Sequence, residues 1–413
     1  MLIDRDRLRD DLETNATFGE IPGTNGTGRT VLPGSNAMRQ ARDYLITRME
    51  AAGLDVRVDA IGNIAGRWTP ATASPDAAPV ATGSHLDSVP EGGIFDGPLG
   101  VYAGLEAVRT LQRADIDVQR PIEIVSFTGE EGSRFPPLVG SSVAAGNQSA
   151  AEALELTDDD GITLADALAN FERLDDWVLD ASKWDSWVEL HIEQASKLER
   201  ADVPVGIVSA ITGIMQLTVH FEGEADHAGT TPMSERTDAS IAAAEFVLDI
   251  ERATTATGTD SESLVGTVGK HTVEPNATNV VPGTVEVGVD IRDVKREPME
   301  ELKDAAIDSL HRIASERDVE TKYELIIDIE PTQMTDRCIY TLRDAAATEN
   351  IDRIDLHSGA GHDTMQIASA TDVGMIFAPS EDGRSHSPME WTDWGDCADA
   401  TQVLTRGIAA LSS

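Results

Sequence analysis

The sequence predicts an α/β protein, in which a mixed, mostly parallel sheet is flanked by helices and a second, α+β domain is inserted. Three observations carry this prediction. Short runs rich in Val and Ile alternate with helical patterns, an alternation typical of βα units. These runs end in Gly, Asp or Glu, which interrupt a strand. The middle of the chain instead shows the order β-α-β-β-α-β, which is the ferredoxin-like pattern.

Four apolar runs predict the strands of the parallel sheet. A helical pattern follows the first run, and Pro98 stands in its first turn, where a helix needs no N–H donor. The runs read APVATGSHLD, RPIEIVSFTGEE, SWVELHIEQ and DVGMIFAPS.

The chain of 413 residues has room for two or three domains of about 150 residues each. We expect one domain made of residues 1–210 and 331–413, with residues 211–330 inserted as a second domain. Within the inserted segment we predict strands at 214–223, 263–273, 283–293 and 321–330, and helices at 238–253 and 297–318.

The chain carries 73 acidic against 32 basic residues, for a formal net charge of −41, and only six of the basic residues are Lys. A protein that binds nucleic acid through a basic face is excluded, because phosphate affinity comes from cations. An anionic membrane surface would repel the chain for the same reason. Because 40% of the residues are apolar, the charge does not indicate disorder.

The acidity indicates a cytosol loaded with salt, since molar salt shortens the Debye length to about 3 Å and makes this charge density tolerable. An ordinary acidic enzyme is the alternative. The N-terminal segment lacks the pattern of a secretory signal, and no apolar stretch approaches a membrane span. Two cysteines, Cys338 and Cys397, make no disulfide framework. We therefore expect a soluble, cytoplasmic, halophilic protein.

Potential metal ligands follow the predicted strands, at the sheet edge where α/β proteins bind their ligands. Each motif alone is also compatible with a turn or a helix cap. Together they offer nitrogen and oxygen donors without thiolate, a set suited to Zn²⁺, Mn²⁺, Co²⁺ or Ni²⁺. A carboxylate in a Gly-bounded loop can bridge, so five ligands predict two ions. The candidates are His85, Asp96, the pair Glu130 and Glu131, His191 and His386.

Adjacent residues point in different directions, so one of Glu130 and Glu131 can bind metal while the other faces a water. Asp87, two residues after His85, is a candidate to orient that imidazole through its carboxylate. We expect the remaining histidines to be ordinary core or surface residues: His220, His271, His311, His357 and His362.

Six motifs resemble the hydantoinase/carbamoylase branch of the aminoacylase-like dinuclear metallohydrolases. That branch includes N-carbamoyl-L-amino acid hydrolases, allantoate amidohydrolases and bacterial-type β-ureidopropionases. The resemblance runs in the family's order from about residue 20 to the C-terminus. The motifs are GSHLDSV, GGIFDGPLGVYAGLEAV, FTGEEGSRF, ELHIEQ, ADHAGTTPM and RSHSPME.

The resemblance implies roles for the candidate ligands. His85 and His191 would hold one ion together with Asp96, which would bridge to a second ion. Glu131 and His386 would complete the second ion's ligands. The resemblance further implies that Glu130 is the general base and that Asp87 stands behind the first His ligand.

In the inserted domain, which the resemblance makes a lid and dimerisation domain, His227 would reach the reacting carbonyl across a dimer interface. Asn279 and Arg292 would hold the substrate carboxylate. Read alone, His227 is also a plausible turn residue and Arg292 a surface residue. Gln194 and the loop 358–363, with Gly361, would line the pocket.

Two positions depart from the family pattern. Ala195 stands where Gly usually follows HIEQ, which puts the local turn in doubt, and Thr364 stands where Ala is usual. Neither is an expected ligand.

The implied activity is hydrolysis of a C–N bond in an N-carbamoyl-L-amino acid, giving amino acid, CO₂ and ammonia. Allantoate amidohydrolase and β-ureidopropionase are the alternatives, because all three share these residues. A dipeptidase or deacylase, or a metal-free binding protein on the same scaffold, is more remote. We expect two divalent ions per subunit, a small ureido substrate that carries a carboxylate, and a homodimer through the lid domain.

Overall fold

The computed structural model describes residues 1–21, 26–114, 116–171, 173–258 and 261–413. These residues form two compact units. The large unit comprises Met1–Ser209 and Gln333–Ser413, and the inserted unit comprises Ala210–Thr332.

The described residues form strands and helices throughout the chain. The strands are β1 Asp55–Val58, β2 Ile64–Trp68, β3 Val80–His85, β4 Ile122–Phe127, β5 Ser186–Ile192, β6 Val205–Ile211, β7 Gly213–Glu222, β8 Asp226–His227, β9 Val265–Glu274, β10 Val280–Val281, β11 Thr284–Asp293, β12 Glu320–Ile329, β13 Thr332–Gln333, β14 Arg353–Ser358 and β15 Asp372–Ala378. The helices are α1 Arg5–Ala16, α2 Asn36–Ala51, α3 Pro98–Leu111, α4 Val139–Ala144, α5 Ala150–Leu154, α6 Leu164–Leu168, α7 Lys197–Ala201, α8 Ala239–Thr257, α9 Arg296–Arg317, α10 Asp336–Glu349, α11 Asp363–Ile367 and α12 Trp394–Leu411.

Nine strands among the described residues form the main sheet, in the order β1-β2-β4-β3-β5-β15-β6-β13, with β14 beside β6. The central strands β4, β3, β5 and β15 run parallel, whereas β1, β2 and β6 join antiparallel. The pairing sets His85 opposite Phe127 and His191 opposite Phe377, so the carboxyl ends of these strands meet at one edge. The predicted mixed sheet with a parallel centre is confirmed.

Helix α3 lies at the centre of the large unit. All fourteen of its residues are buried, and Pro98 is its first residue, as predicted. It packs against β3, β5, α1 and α12. Its two buried charged residues are paired: Glu106 accepts two hydrogen bonds of 2.7 Å from Arg7, and Arg109 donates to Asp11 at 2.6 Å. Both pairs tie α1 to α3.

The inserted unit contains every predicted element, and its four-stranded sheet has the order β12-β7-β11-β9 with antiparallel neighbours. This is the ferredoxin-like arrangement. Alternate residues of β7 and β11 form one apolar face, on which α8 and α9 pack. Each aliphatic side chain buried between this face and the two helices stabilises the fold by about 1.5–3 kcal/mol.

None of the helices in the described part of the chain combines the length and the apolar character that crossing a membrane requires.

Candidate metal and catalytic centre

The parallel strands of the large unit deliver the candidate ligands to one place. His85 is the last residue of β3, and His191 lies near the end of β5. Glu130 and Glu131 follow β4, and His386 lies in the loop after β15. The fold therefore brings together residues that are far apart in the chain.

Asp96 reaches this place from the turn before α3. The next residue, Gly97, has a φ of +81°, and a Cβ there would lie 2.6 Å from Cε1 and Nδ1 of His85. Only glycine combines that backbone conformation with so close an approach of the imidazole ring. Gly97 thus allows Asp96 and His85 to face each other.

The Asp96 carboxylate lies between two groups of ligands. Its Oδ1 is 3.1 Å from Nε2 of His191 and 3.5 Å from Nε2 of His85, whereas its Oδ2 is 3.8 Å from Nε2 of His386. His386 Nε2 is also 3.0 Å from Oε2 of Glu131. In each group, the candidate ligand atoms lie within 4.8 Å of one another.

The imidazole tautomers fit metal ligation. Nδ1 of His85 is 3.1 Å from the carbonyl oxygen of Asp87, and Nδ1 of His191 is 3.1 Å from that of Ile192. A carbonyl oxygen only accepts, so Nδ1 of each ring carries a proton and Nε2 is the nitrogen left for a metal ion. Among the described residues, buried Nε2 of His85 has no hydrogen-bond partner, which a bound cation would supply.

The charges of the site also favour a cation. Burial lowers the pKa of His191, but the Asp96 carboxylate offsets this and raises that pKa to about 9. Burial likewise opposes the charged form of His85, whose pKa Glu130 and Asp96 nevertheless raise well above its ordinary value. The carboxylates therefore stabilise positive charge at the two Nε2 atoms, and a divalent cation can replace the protons there.

Glu130 has the electrostatic setting of a proton acceptor that can return its proton. Burial raises its pKa well above the usual range, and repulsion from Asp363, Glu131 and Asp96 adds to this, against the attraction of His85. Its Oε2 lies 3.7 Å from His85 Nε2. Ligand atoms of His85, Glu130 and Glu131 also lie within 4.8 Å, so either glutamate can reach an ion bound by His85.

Asp87 connects two of the candidate ligands. We expected its carboxylate to orient His85, but Oδ1 is 3.7 Å from Nδ1 and the closer contact is the Asp87 carbonyl. The carboxylate instead accepts a hydrogen bond of 3.1 Å from the backbone N–H of Glu131. Asp87 therefore links the His85 and Glu131 segments.

Two side chains hold the second oxygen of Asp96. Ser385 donates to Oδ2 at 2.6 Å, and Gln194 donates to the same oxygen at 3.1 Å and to Ser385 at 2.9 Å. Gln194 was predicted to line the pocket. Ser385 was not singled out, although it directly precedes His386.

His386 itself has a backbone φ of +53°, unusual for a residue with a side chain. Such a conformation costs of order 1–3 kcal/mol and persists only where the surroundings enforce it. The hydrogen bond of neighbouring Ser385 to Asp96 is one such constraint.

His362 was expected to be an ordinary core or surface histidine, and it is a buried one that lies beside a candidate ligand. It is buried, its ring centroid lies 4.6 Å from that of His191, and its Nε2 is 2.9 Å from Oγ of Ser358. Burial and the neighbouring His191 lower its pKa well below the ordinary value, so it is a neutral ring packed against a candidate ligand. The available signal was its place in the loop 358–363, which the resemblance makes part of the pocket.

The departure at Thr364 has a structural role. Thr364 donates from its hydroxyl to Oε2 of buried Glu189 at 2.6 Å and accepts from Nε1 of Trp187 at 2.8 Å. Ser84 donates to the other oxygen of Glu189 at 2.7 Å. These bonds join β3, β5 and α11 behind the candidate ligands.

Gly361, the predicted pocket residue, is exposed in the loop just before buried His362.

The remaining predicted site residues lie in the inserted unit. His227 is exposed on β8, and its Nδ1 accepts a hydrogen bond of 3.0 Å from Gly229 N–H, so Nε2 is the nitrogen that carries a proton. Asn279 lies beside it, because Ala228 N–H donates to the Asn279 carbonyl at 3.0 Å. Arg292 lies on the polar face of the sheet and donates to Asp290 at 2.8 Å.

Comparison with known proteins assigns the chain to a family. Residues 81–410 match peptidase family M20/M25/M40, whose hydrolases use divalent metals. The N-carbamoyl-L-amino acid amidohydrolase of Geobacillus stearothermophilus is 41% identical over 400 residues, 96% of each chain. The allantoate amidohydrolase of Bacillus subtilis is 34% identical over 369 residues, 89% of this chain and 87% of the relative.

A solved structure extends the likeness to the fold. An amidase of the hydantoinase/carbamoylase family from Burkholderia multivorans superposes with a TM-score of 0.92 at 34% identity, over 100% of this chain and 98% of the other. The sequence resemblance is thereby confirmed: the chain belongs to peptidase family M20/M25/M40, within its hydantoinase/carbamoylase branch of hydrolases that act on carbon–nitrogen bonds.

Proposed function

We propose that the protein hydrolyses N-carbamoyl-L-amino acids to the amino acid, CO₂ and ammonia, using two divalent ions. The observation that carries the proposal is the Asp96 carboxylate, which is shared by two groups of nitrogen and oxygen ligands beside Glu130. Similarity to the Geobacillus amidohydrolase over nearly the whole chain supports the substrate class. The Bacillus allantoate amidohydrolase supports allantoate as the second candidate substrate.

We assign His85, His191 and Asp96 to one ion, and Asp96, Glu131 and His386 to the other. When bound, two such ions acidify water and polarise the oxygen of a substrate carbonyl. The donor set suits Zn²⁺, Mn²⁺, Co²⁺ or Ni²⁺.

Glu130 takes a proton from the attacking water and returns it to the leaving nitrogen. Its raised pKa supports the first half of this task, because a more basic carboxylate takes a proton from water more readily. Asp87 connects the His85 and Glu131 segments, because its carbonyl contacts the His85 ring and its carboxylate accepts from Glu131 N–H.

Residues of the inserted unit supply contacts to the substrate. The Nε2–H of His227 is a donor suited to the oxygen that becomes negative during attack, and we propose that a second subunit contributes it. Arg292 offers a planar fork to the substrate carboxylate, assisted by Asn279. Gln194 and Gly361 would line the pocket.

The proposed assembly is a homodimer formed through the inserted unit. The edge strands of its sheet carry exposed apolar side chains, Val265 on β9 and Tyr323, Leu325 and Ile326 on β12. Exposed apolar edge strands favour pairing with another chain. Sedimentation in 2 M KCl should give a dimer, and a monomer at micromolar concentration would contradict this part of the proposal.

We further propose that the enzyme works in a salt-rich cytoplasm, on the strength of the net charge of −41.

The activity is tested by assaying ammonia release from a panel of N-carbamoyl-L-amino acids, allantoate and 3-ureidopropionate in molar KCl. Each is tested with Mn²⁺, Zn²⁺, Co²⁺ and Ni²⁺. The highest kcat/KM should fall on an N-carbamoyl-L-amino acid. Preference for allantoate or 3-ureidopropionate would reassign the substrate, and binding without turnover of any compound would indicate a binding protein.

A further inference from the structure

Glu390 holds the turn that carries Asp96. Its side chain is 1% exposed, and its Oε1 accepts hydrogen bonds from the backbone N–H groups of Phe95 at 2.9 Å and Asp96 at 3.1 Å. Glu390 lies four residues after His386, so one loop after β15 supplies a candidate ligand and also contacts the backbone of another.

These two N–H groups are the last before the left-handed residue Gly97 and helix α3. The first N–H groups of α3 donate to carbonyl groups of the turn itself, so Glu390 serves the two N–H groups that precede the helix. The backbone angles at Phe95 and Asp96 decide where the Asp96 carboxylate points. The two bonds therefore bear directly on its distances to His191 and His386.

The contact between Glu390 and the turn is close. A Cβ built on Gly93 would lie 2.1 Å from Cδ and from Oε1 of Glu390, nearer than any real Cβ approaches a neighbouring atom. The turn can therefore accommodate the carboxylate only because residue 93 has no side chain.

Arg29 holds the same turn through other groups. Its side chain is fully buried, Nε donates to the Gly93 carbonyl at 3.1 Å, and Nη2 donates to the Leu86 carbonyl at 3.1 Å. Leu86 directly follows His85. Burial lowers the pKa of Arg29, and the attraction of Glu390 opposes that shift. Burial and repulsion from Asp96 raise the pKa of Glu390 to about 8, so Glu390 holds the turn through its two hydrogen bonds and not through a charge pair with Arg29.

We propose that Glu390 is a positioning residue for the metal centre, which fixes the Asp96 backbone so that the carboxylate serves both ions. The inference rests on the dinuclear centre of the proposed function. Glu390 is assigned no ion, because it lies outside the groups of candidate ligands and its Oε1 is taken by two N–H groups.

The test compares metal affinity among variants of the full chain. Co²⁺ is titrated into protein freed of metal with a chelator, followed by the visible absorption of the bound ion and by calorimetry. Glu390→Ala should weaken Co²⁺ binding by about 10–100-fold and alter the spectrum, as expected when a residue that orients ligands is lost. Glu390→Gln keeps an acceptor oxygen and should bind within about threefold of wild type.

Asp59→Ala is the matched control. Asp59 is a fully buried carboxylate of the same unit that accepts backbone N–H bonds from Ile61, Asn63 and Leu179, none of them a candidate ligand. Its loss should lower the melting temperature but leave Co²⁺ affinity and spectrum unchanged. Equal Co²⁺ binding by wild type and folded Glu390→Ala would overturn the inference.

A double-mutant cycle adds a second, independent readout. Gly93→Ala should weaken Co²⁺ binding in the wild-type background, because its Cβ displaces the Glu390 carboxylate. In the Glu390→Ala background the same substitution should change binding by less than about twofold, because the space is then vacant. Additive effects would contradict the proposed contact. If wild type itself binds no Co²⁺, both the inference and the proposed function fail.

Discussion

Nε2 of His191 lies 3.1 Å from Oδ1 of Asp96, within a buried centre in which the other Asp96 oxygen faces His386. Asp96 thus belongs to both of the groups that we assign to the two ions, whereas His191 and His386 each belong to one. This asymmetry predicts different losses of metal on substitution.

Asp96→Ala should lose both ions, because each group then keeps only two of its ligands. His386→Ala should lose one ion and keep the other. Bound metal is counted by mass spectrometry after gel filtration, with His311→Ala on the exposed side of α9 as the control that keeps both. Two full equivalents in Asp96→Ala would rule out its bridging role.

Arg292→Ala should raise KM for N-carbamoyl-L-amino acids by about 10-fold or more, because a charged hydrogen bond to a carboxylate contributes about 1.5–3 kcal/mol. Substrate esters, which lack the carboxylate charge, should be affected much less. Lys270→Ala is the matched control, since Lys270 is an exposed cation on the neighbouring strand β9, paired with Glu286. Equal losses for acids and esters would exclude Arg292 as the carboxylate anchor.

The net charge of −41 predicts that salt stabilises the fold. Raising KCl from 0.1 to 1 M shortens the Debye length from about 10 to 3 Å and weakens repulsion among surface carboxylates. The urea midpoint should therefore rise steadily with KCl up to 2 M. A midpoint that does not change over this range would favour an ordinary acidic enzyme instead.

The Asp396 carboxyl group allows a second test of how acidic groups affect stability, through the pH dependence of unfolding. Asp396 lines a cavity of about 560 Å³ with other carboxylates, and burial, followed by repulsion from Asp393, Asp399 and Asp202, raises its pKa to about 6. Because this exceeds the value of about 3.9 in an unfolded chain, the ionised side chain disfavours folding. This free-energy penalty is absent below about pH 4, grows between pH 4 and pH 6, and reaches its full size above pH 6.

Asp396→Asn should therefore raise the free energy of unfolding at pH 7 relative to wild type, with the difference vanishing near pH 4. Because the group is partly exposed, the difference should shrink in 2 M KCl. Urea titrations at both pH values measure it, and Asp344→Asn on the exposed face of α10 controls for removal of one charge. A difference that persists at pH 4 would contradict the assignment to Asp396.

Much of the site could be predicted because each ligand stands next to a local signal. His85 and His191 stand at or near the ends of apolar runs and Glu131 lies shortly after one, and the parallel sheet then brings these strand ends together. The strands and helices of the inserted unit were predictable for a similar reason, since alternation of period two marks one face of β7 and β11.

The supporting residues could not be predicted in the same way. Glu390 contacts Asp96 and His362 contacts His191 across long stretches of chain, and no periodicity links such partners. A buried polar residue needs a hydrogen-bond partner, but the sequence does not identify which residue that partner is. The Asp87 contact shows a finer limit, since its carbonyl rather than its carboxylate approaches Nδ1 of His85.

We propose above that Glu130 transfers the proton beside a two-ion centre that hydrolyses a carbamoyl bond. The most direct test is the initial rate of ammonia release from an N-carbamoyl-L-amino acid by Glu130→Gln, loaded with the same two equivalents of metal as wild type. We expect kcat to fall by about 10²–10⁴-fold with both ions retained. A rate near that of wild type would contradict it.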